Sequence, residues 1–271
     1  MSLIQNDAYQ GIRDKATYDH IKAVLHPGLL GKFQKGISVE KAHKTTFLNL
    51  RTAVSKCDAI KDLDFLKFFP NLETLFLESK SLSNIDGLQY LTWIACLELS
   101  SDWTEGVDIF AISKCRGLKE LAIDLISGPQ TSKPSTNIKG LDALRDLTKL
   151  RCLYLPGMWI TDISFIKHLT ALEDLELGHN PIADLTPLQG HSSLNELDLS
   201  TCGLTDISIL STIPNLQCLN IGYNQIKDFS PLKELRHLKH LFAGGNSLTD
   251  AEIEHWQKEF NLNEEFNFRE P

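Results

Sequence analysis

No run in the chain reaches the roughly 18 consecutive apolar residues of a membrane-spanning helix. The opening MSLIQNDAYQGIRDK also lacks the apolar core of a secretory signal. These two absences predict a cytoplasmic protein, with an exported effector that uses no cleaved signal peptide as the alternative. Basic charge is in short supply: 27 Lys and Arg face 35 Asp and Glu, for a net charge of −8. That balance argues against binding to nucleic acid or to an anionic membrane and favours a basic partner. The cysteines Cys57, Cys96, Cys115, Cys152, Cys202 and Cys218 form no CxxC pair and no Cys/His cluster with zinc-ligand spacing. No disulfide framework, metal site or redox role is expected of them. There is no phosphate loop, GxSxG, HExxH or strand-to-helix GxGxxG. The nine histidines are scattered, and none shares a turn with a nucleophile or a second ligand. Neither a catalytic residue nor a cofactor is expected.

What the chain has instead is repetition. The stretch LEDLELGHNPIADLTPLQGHSS, from Leu172 to Ser193, is followed at Leu194 by nearly the same pattern. Copies begin at Thr45, Leu72, Ile94, Leu118, Leu150, Leu172, Leu194, Leu216 and Leu238, and from Leu150 onward the spacing is a constant 22 residues. Within a copy the apolar residues first alternate, so that Leu175 and Leu177 point inward from a short strand and Glu176 points out. Ile182, Leu185 and Leu188 then recur at intervals of three, which suits a 3₁₀ turn. One such unit cannot bury its own apolar edge. Neighbours must therefore stack into a solenoid with the strands parallel on its concave side.

The best copies, LEDLELGHNPIADLTPL and LQCLNIGYNQIKDFSPL, fit LxxLxLxxNxIxDLxPL. This pattern resembles the leucine-rich repeat family. It is most similar to the 22-residue class found in internalins and in a leucine-rich regulatory subunit of protein phosphatase 1, and the resemblance covers about Thr45 to Asp250. It implies an α/β solenoid: a curved leucine-rich repeat horseshoe with a parallel concave sheet and short 3₁₀ or helical convex segments. It further implies that Asn180, Asn224 and Asn246 form a buried amide ladder and that Cys202, in the same slot, is buried. Met158, Asp102 and Lys80 are poor occupants of that slot. The copies from Thr45, Ile94 and Leu118 are also irregular, at 27, 24 and 32 residues. The N-terminal half should be less regular.

Solenoid ends need covers. In SLTDAEIEHWQKEF, Thr249 stands three residues before Glu252, and Ile253, Trp256 and Phe260 follow at helical spacing. DKATYDHIKAVLHPG places Tyr18, Ile21, Val24 and Leu25 on one helical face. The expected organisation is a mostly helical N-terminal cap over 1–44, about nine repeats over 45–248, and a C-terminal capping helix and tail over 249–271. An N-terminal partner-binding arm is the alternative for the first segment.

Register arranges the outward strand residues in columns. Asp174, Glu176, Glu196 and Asp198 cluster on adjacent strands, with Glu98 in the same column system, while Arg51 is the only Lys or Arg in these columns. Phe76, Tyr154, Tyr223 and Phe242 interleave with the acids, a mixture that interface hot spots favour. The sequence therefore predicts a monomeric, non-enzymatic scaffold whose concave face binds a basic protein or peptide. An inhibitor or immunity-type protein blocking a toxin or enzyme, or an effector delivered to a host cell, is the alternative. Trp103, in SSDWTEG, is predicted to be an exposed rim contact beside the Ser/Thr/Pro-rich loop 127–137.

Overall fold

The computed structural model describes residues 39–51, 60–103, 106–126, 138–260 and 266–268. The expectations for residues 1–38 and for the loop 127–137 lie outside these. The chain forms two compact units, one running to Lys149 and the other from Leu150.

In the N-terminal unit a short helix, α1 (Val39–Lys44), precedes strands β1 (Phe47–Leu50), β2 (Thr74–Glu78), β3 (Cys96–Ser101) and β4 (Glu120–Leu125). The strands pair in parallel and in register, so that Leu48, Leu75, Leu97 and Leu121 form one buried row and Leu50, Leu77, Leu99 and Ile123 the next. Alternation explains why: each leucine two residues on returns to the same face, and a slip of one residue would expose every leucine. The chain returns along the back through 3₁₀ turns at Asp64–Phe68, Asp86–Tyr90, Phe110–Lys114 and Leu141–Asp146.

The C-terminal unit repeats the plan more regularly, with strands β5 (Cys152–Tyr154), β6 (Asp174–Glu176), β7 (Glu196–Asp198), β8 (Cys218–Asn220) and β9 (His240–Phe242). Leu153, Leu175, Leu197, Leu219 and Leu241 form its buried row. The back turns at Ser164–His168, Thr186–Leu188, Ser208–Thr212 and Ser230–Glu234 each begin two residues after an aspartate. Asp162, Asp184, Asp206 and Asp228 each accept a hydrogen bond of 2.8 Å from the backbone N–H two residues on. The repeated D-x-S/T is therefore a turn starter, since a short carboxylate satisfies the first free N–H of the turn.

The amide ladder is present in the C-terminal unit. Asn224 Nδ2 donates to the carbonyls of Leu199 (2.9 Å) and Ile221 (3.0 Å), and its Oδ1 accepts from the N–H groups of Cys202 and Leu204. Asn180 and Asn246 bridge their neighbours in the same way, and Cys202 is buried between them. In the N-terminal unit the corresponding work is done one residue earlier by buried Ser79 and Ser101. Their hydroxyls donate to the carbonyls of Ile60 and Leu82, and Lys80 is left exposed.

At the C-terminus α2 (Asp250–Glu259) begins with the expected reciprocal capping of Thr249 and Glu252, and Ile253 and Trp256 are buried. The tail contributes an unexpected strand, β10 (Phe266–Asn267), parallel to β9. Phe268, just beyond it, sits edge-on to Phe229 at 5.1 Å.

Two outcomes are expected. Asn224→Ala strips several buried backbone groups of partners at once and should lower stability by about 3 kcal/mol in urea unfolding. Gln189→Ala, at an exposed site, should change it by less than about 0.5 kcal/mol. Burial holds the His191 imidazole below its ordinary 6.5. The unfolded chain therefore binds a proton that the folded one resists, and stability should fall as pH drops through 6.5. His191→Gln should flatten the change in urea midpoint between pH 7.5 and 5.5. The exposed carboxylates with lowered values, such as Glu173, act only below their ordinary 4.5.

Candidate functional site

Register places Asp174 beside Glu196 and Glu176 beside Asp198 on the paired strands β6 and β7. Adjacent strands lie about 4.8 Å apart, so four carboxylates occupy a two-by-two patch on the outward face of the C-terminal sheet. Parallel strands align residue with residue, which makes like charges direct neighbours and costs repulsion. Part of that repulsion is relieved within the sheet. The Tyr154 hydroxyl donates to Asp174 Oδ2 at 2.5 Å, and burial first, then this bond and the aspartate's charge, raise the tyrosine's pKa. Asp198 accepts from Asn220 Nδ2 at 2.7 Å and, through its other oxygen, from the Ser200 N–H at 2.8 Å. Glu196 stays exposed. No Lys or Arg stands on the strand residues of β5 to β9.

The aromatic candidates divide. Tyr154 is half-buried and Phe242 is 51% exposed on β9. Tyr223, read from the sequence as part of the strand face, stands instead in the turn after β8. Its backbone is left-handed there (φ 55°) and its side chain is 52% exposed. Gly245 occupies the matching turn position one repeat on at φ 73°. A Cβ there would lie 2.5 Å from the Tyr223 ring, so glycine is what lets the ring lie flat against the next turn.

In the N-terminal unit the picture is different. Glu98 is ion-paired with Arg51, whose guanidinium carbon lies 4.3 Å over the Phe76 ring, and Phe76 meets Phe47 edge-on at 5.6 Å. The single cation of the strand columns is thus spent on the single acid among the N-terminal candidates. Trp103 does not fit the expectation of an exposed rim contact, being only 6% exposed. Its indole N–H donates to the carbonyl of Asp124 on β4 at 3.2 Å, so it is tied to the neighbouring strand and offers nothing to a partner. The sequence columns also miss Trp93, at 72% exposure the most open of the large apolar side chains described. It precedes the buried Ile94 of its repeat, outside the strand columns.

The acidic patch leaves a local signature. The Cys218 thiol on β8 is raised above its ordinary value by burial and then by the charges of Glu196, Asp174 and Asp198. Buried Cys202 and Cys115 are pushed up to about 11 and about 12 by burial. Among the described residues no group of His, Cys, Asp and Glu is placed to hold a metal ion, and no helix is long and apolar enough to cross a membrane. Site-resolved alkylation with iodoacetamide at pH 8 should be faster at Cys218 in Glu196→Gln than in the wild type, by about twofold, because losing a neighbouring charge raises the thiolate fraction. Cys202 should stay unreactive in both proteins.

Among curated proteins none matches the chain. The family description "Leucine Rich repeats (2 copies)" matches residues 148–190 and 192–234. The fold is similar to the crystal structure of an internalin C2 from Listeria monocytogenes, with 26% identity and a TM-score of 0.67, covering 88% of this chain and 97% of that one. An internalin (inlF) from the same organism matches with 23% identity and a TM-score of 0.48, over 94% of this chain and 88% of its own. Leucine-rich repeat solenoids of this type serve as protein-interaction scaffolds. The 22-residue register, the asparagine ladder, the repeat match over 148–234 and the likeness to the internalin C2 structure together make the fold a leucine-rich repeat solenoid similar to that of an internalin.

Proposed function

We propose that the chain is a non-enzymatic scaffold, and that the outward sheet face of its C-terminal unit binds a basic protein or peptide segment. The observation that carries this reading is the patch of Asp174, Glu176, Glu196 and Asp198 on two adjacent strands, with no Lys or Arg on the strand residues around it. A bound Lys or Arg side chain would relieve the repulsion between these neighbours. Such a contact combines steering with a choice of register. Tyr154, Tyr223 and Phe242 supply aromatic surface beside the charge, which suits a basic segment carrying an aliphatic or aromatic residue. Phe76, Glu98 and Trp103 leave the proposed site, because the first two are tied to Arg51 and the third is buried. Among the described residues Cys96, Cys115, Cys152, Cys202 and Cys218 form no disulfide, which supports a reading of work in a reducing, cytoplasmic compartment.

The test is to pan a phage-displayed library of linear dodecamers on the wild type and on Glu176→Lys/Glu196→Lys, at low and at moderate salt. The wild type should enrich peptides of net positive charge with at least one large apolar residue, weakened by salt. Charge reversal should weaken them by at least about tenfold. Enrichment of neutral or acidic peptides only, or equal binding to both proteins, would remove the patch as a binding site.

A further inference from the structure

The N-terminal unit carries a second surface of opposite sign, at the edge where its strands begin. In the C-terminal unit the residues just before the strands close laterally. Arg151 pairs with Glu173 through two hydrogen bonds, and Lys239, Gln217 and Asn195 form a chain. The same column in the N-terminal unit reads Glu73, Ala95, Lys119. Alanine in the middle cannot bridge its neighbours, which stand about 10 Å apart across two strand spacings.

The result is an open groove of about 910 Å³. Gly117 lines it without a side chain and lets the two repeats approach closely, since a Cβ there would press on the Ile94 carbonyl at 3.2 Å. Trp93, Arg116, Lys119 and Lys149 are all among its lining residues. Among the described residues these three cations make no ion pair. A protein of net charge −8 thus concentrates unpaired positive charge around its most exposed tryptophan.

We infer that this groove binds an acidic peptide segment of a partner protein, with a large apolar side chain against Trp93 and carboxylates on Arg116, Lys119 and Lys149. The charge complementarity is local. Glu73 within the groove and the acidic remainder of the chain oppose a long polyanion, which would have to run beyond the three cations. A short acidic segment meets only the groove. Tryptophan and arginine are also the side chains over-represented where interfaces concentrate their affinity.

Three substitutions separate the contributions. Trp93→Ala removes the indole, Lys119→Glu reverses a charge, and Ala95→Gln fills the groove without changing charge by supplying the bridge that the C-terminal unit has. All three lie on exposed or half-exposed positions. A phage-displayed dodecamer library, with captured peptides resynthesised for fluorescence anisotropy, should yield wild-type binders rich in Asp and Glu with one large apolar residue. Each substitution should weaken these binders by about tenfold or more. Glu176→Lys/Glu196→Lys should leave them unchanged, which keeps this surface distinct from the one on the C-terminal sheet. The absence of any acidic peptide sensitive to Trp93→Ala would overturn the proposal. So would an oligothymidylate that binds the wild type more tightly than the peptides do and is lost in Lys119→Glu, because the groove would then serve a nucleic acid.

Discussion

The structure depends on how the backbone is satisfied where each strand turns away from the sheet. A repeat that reverses direction within a few residues leaves carbonyl and N–H groups pointing into a dry interior, and each unsatisfied group costs roughly 1–3 kcal/mol. In the C-terminal unit one amide side chain meets groups from two consecutive repeats, so Asn180, Asn224 and Asn246 fix each repeat's distance and register to the next. Only with that register fixed do outward residues of neighbouring strands become direct neighbours. The acidic patch on β6 and β7 is a consequence of the ladder behind it.

The N-terminal unit meets the same constraint with shorter side chains. The Ser79 hydroxyl reaches one carbonyl of the preceding repeat and that of Ser101 reaches two, whereas an asparagine both donates and accepts, meeting several groups of its own repeat and the preceding one. A hydroxyl imposes less on the turn, and in this unit repeat length varies and the outward positions hold different chemistry. The C-terminal edge column is closed by Arg151, Glu173, Asn195, Gln217 and Lys239, and the N-terminal one is opened by Ala95. The two units therefore present charge of opposite sign on different parts of the same kind of repeat.

Most of this fold is legible in the sequence because strand alternation is strict and one face is buried, so the leucines alone fix which residues point outward. The back turns are legible for a similar reason, as apolar residues recur at threes behind an aspartate. What escapes is what depends on a partner distant in sequence. SSDWTEG reads as an exposed polar loop, yet Trp103 is buried, with its indole N–H donating to the carbonyl of Asp124 on the neighbouring strand. The two-residue β10 carries no LxL signal and is held by the edge of β9 and by Phe268 packing on Phe229. Tyr223 is aromatic and near the acids, as the sequence suggests, but its left-handed turn sets it off the strand face. Trp93 is missed because columns drawn through strand residues begin at Cys96, three residues after it. It lines the same groove as Ala95 and Gly117, and that juxtaposition with the next repeat is not visible in the strand columns.

The central claim is that outward charge on the C-terminal sheet is a recognition surface and not merely a solvated one. The most direct measurement is an amide chemical-shift map of the isotope-labelled protein titrated with a lysine-rich peptide. The account predicts saturable shifts centred on Asp174 to Glu176, Glu196 to Asp198 and Tyr223, with the back turns at 164–168, 186–188 and 208–212 unmoved. Shifts spread evenly over all exposed acids without saturation, or centred on the back turns, would contradict it.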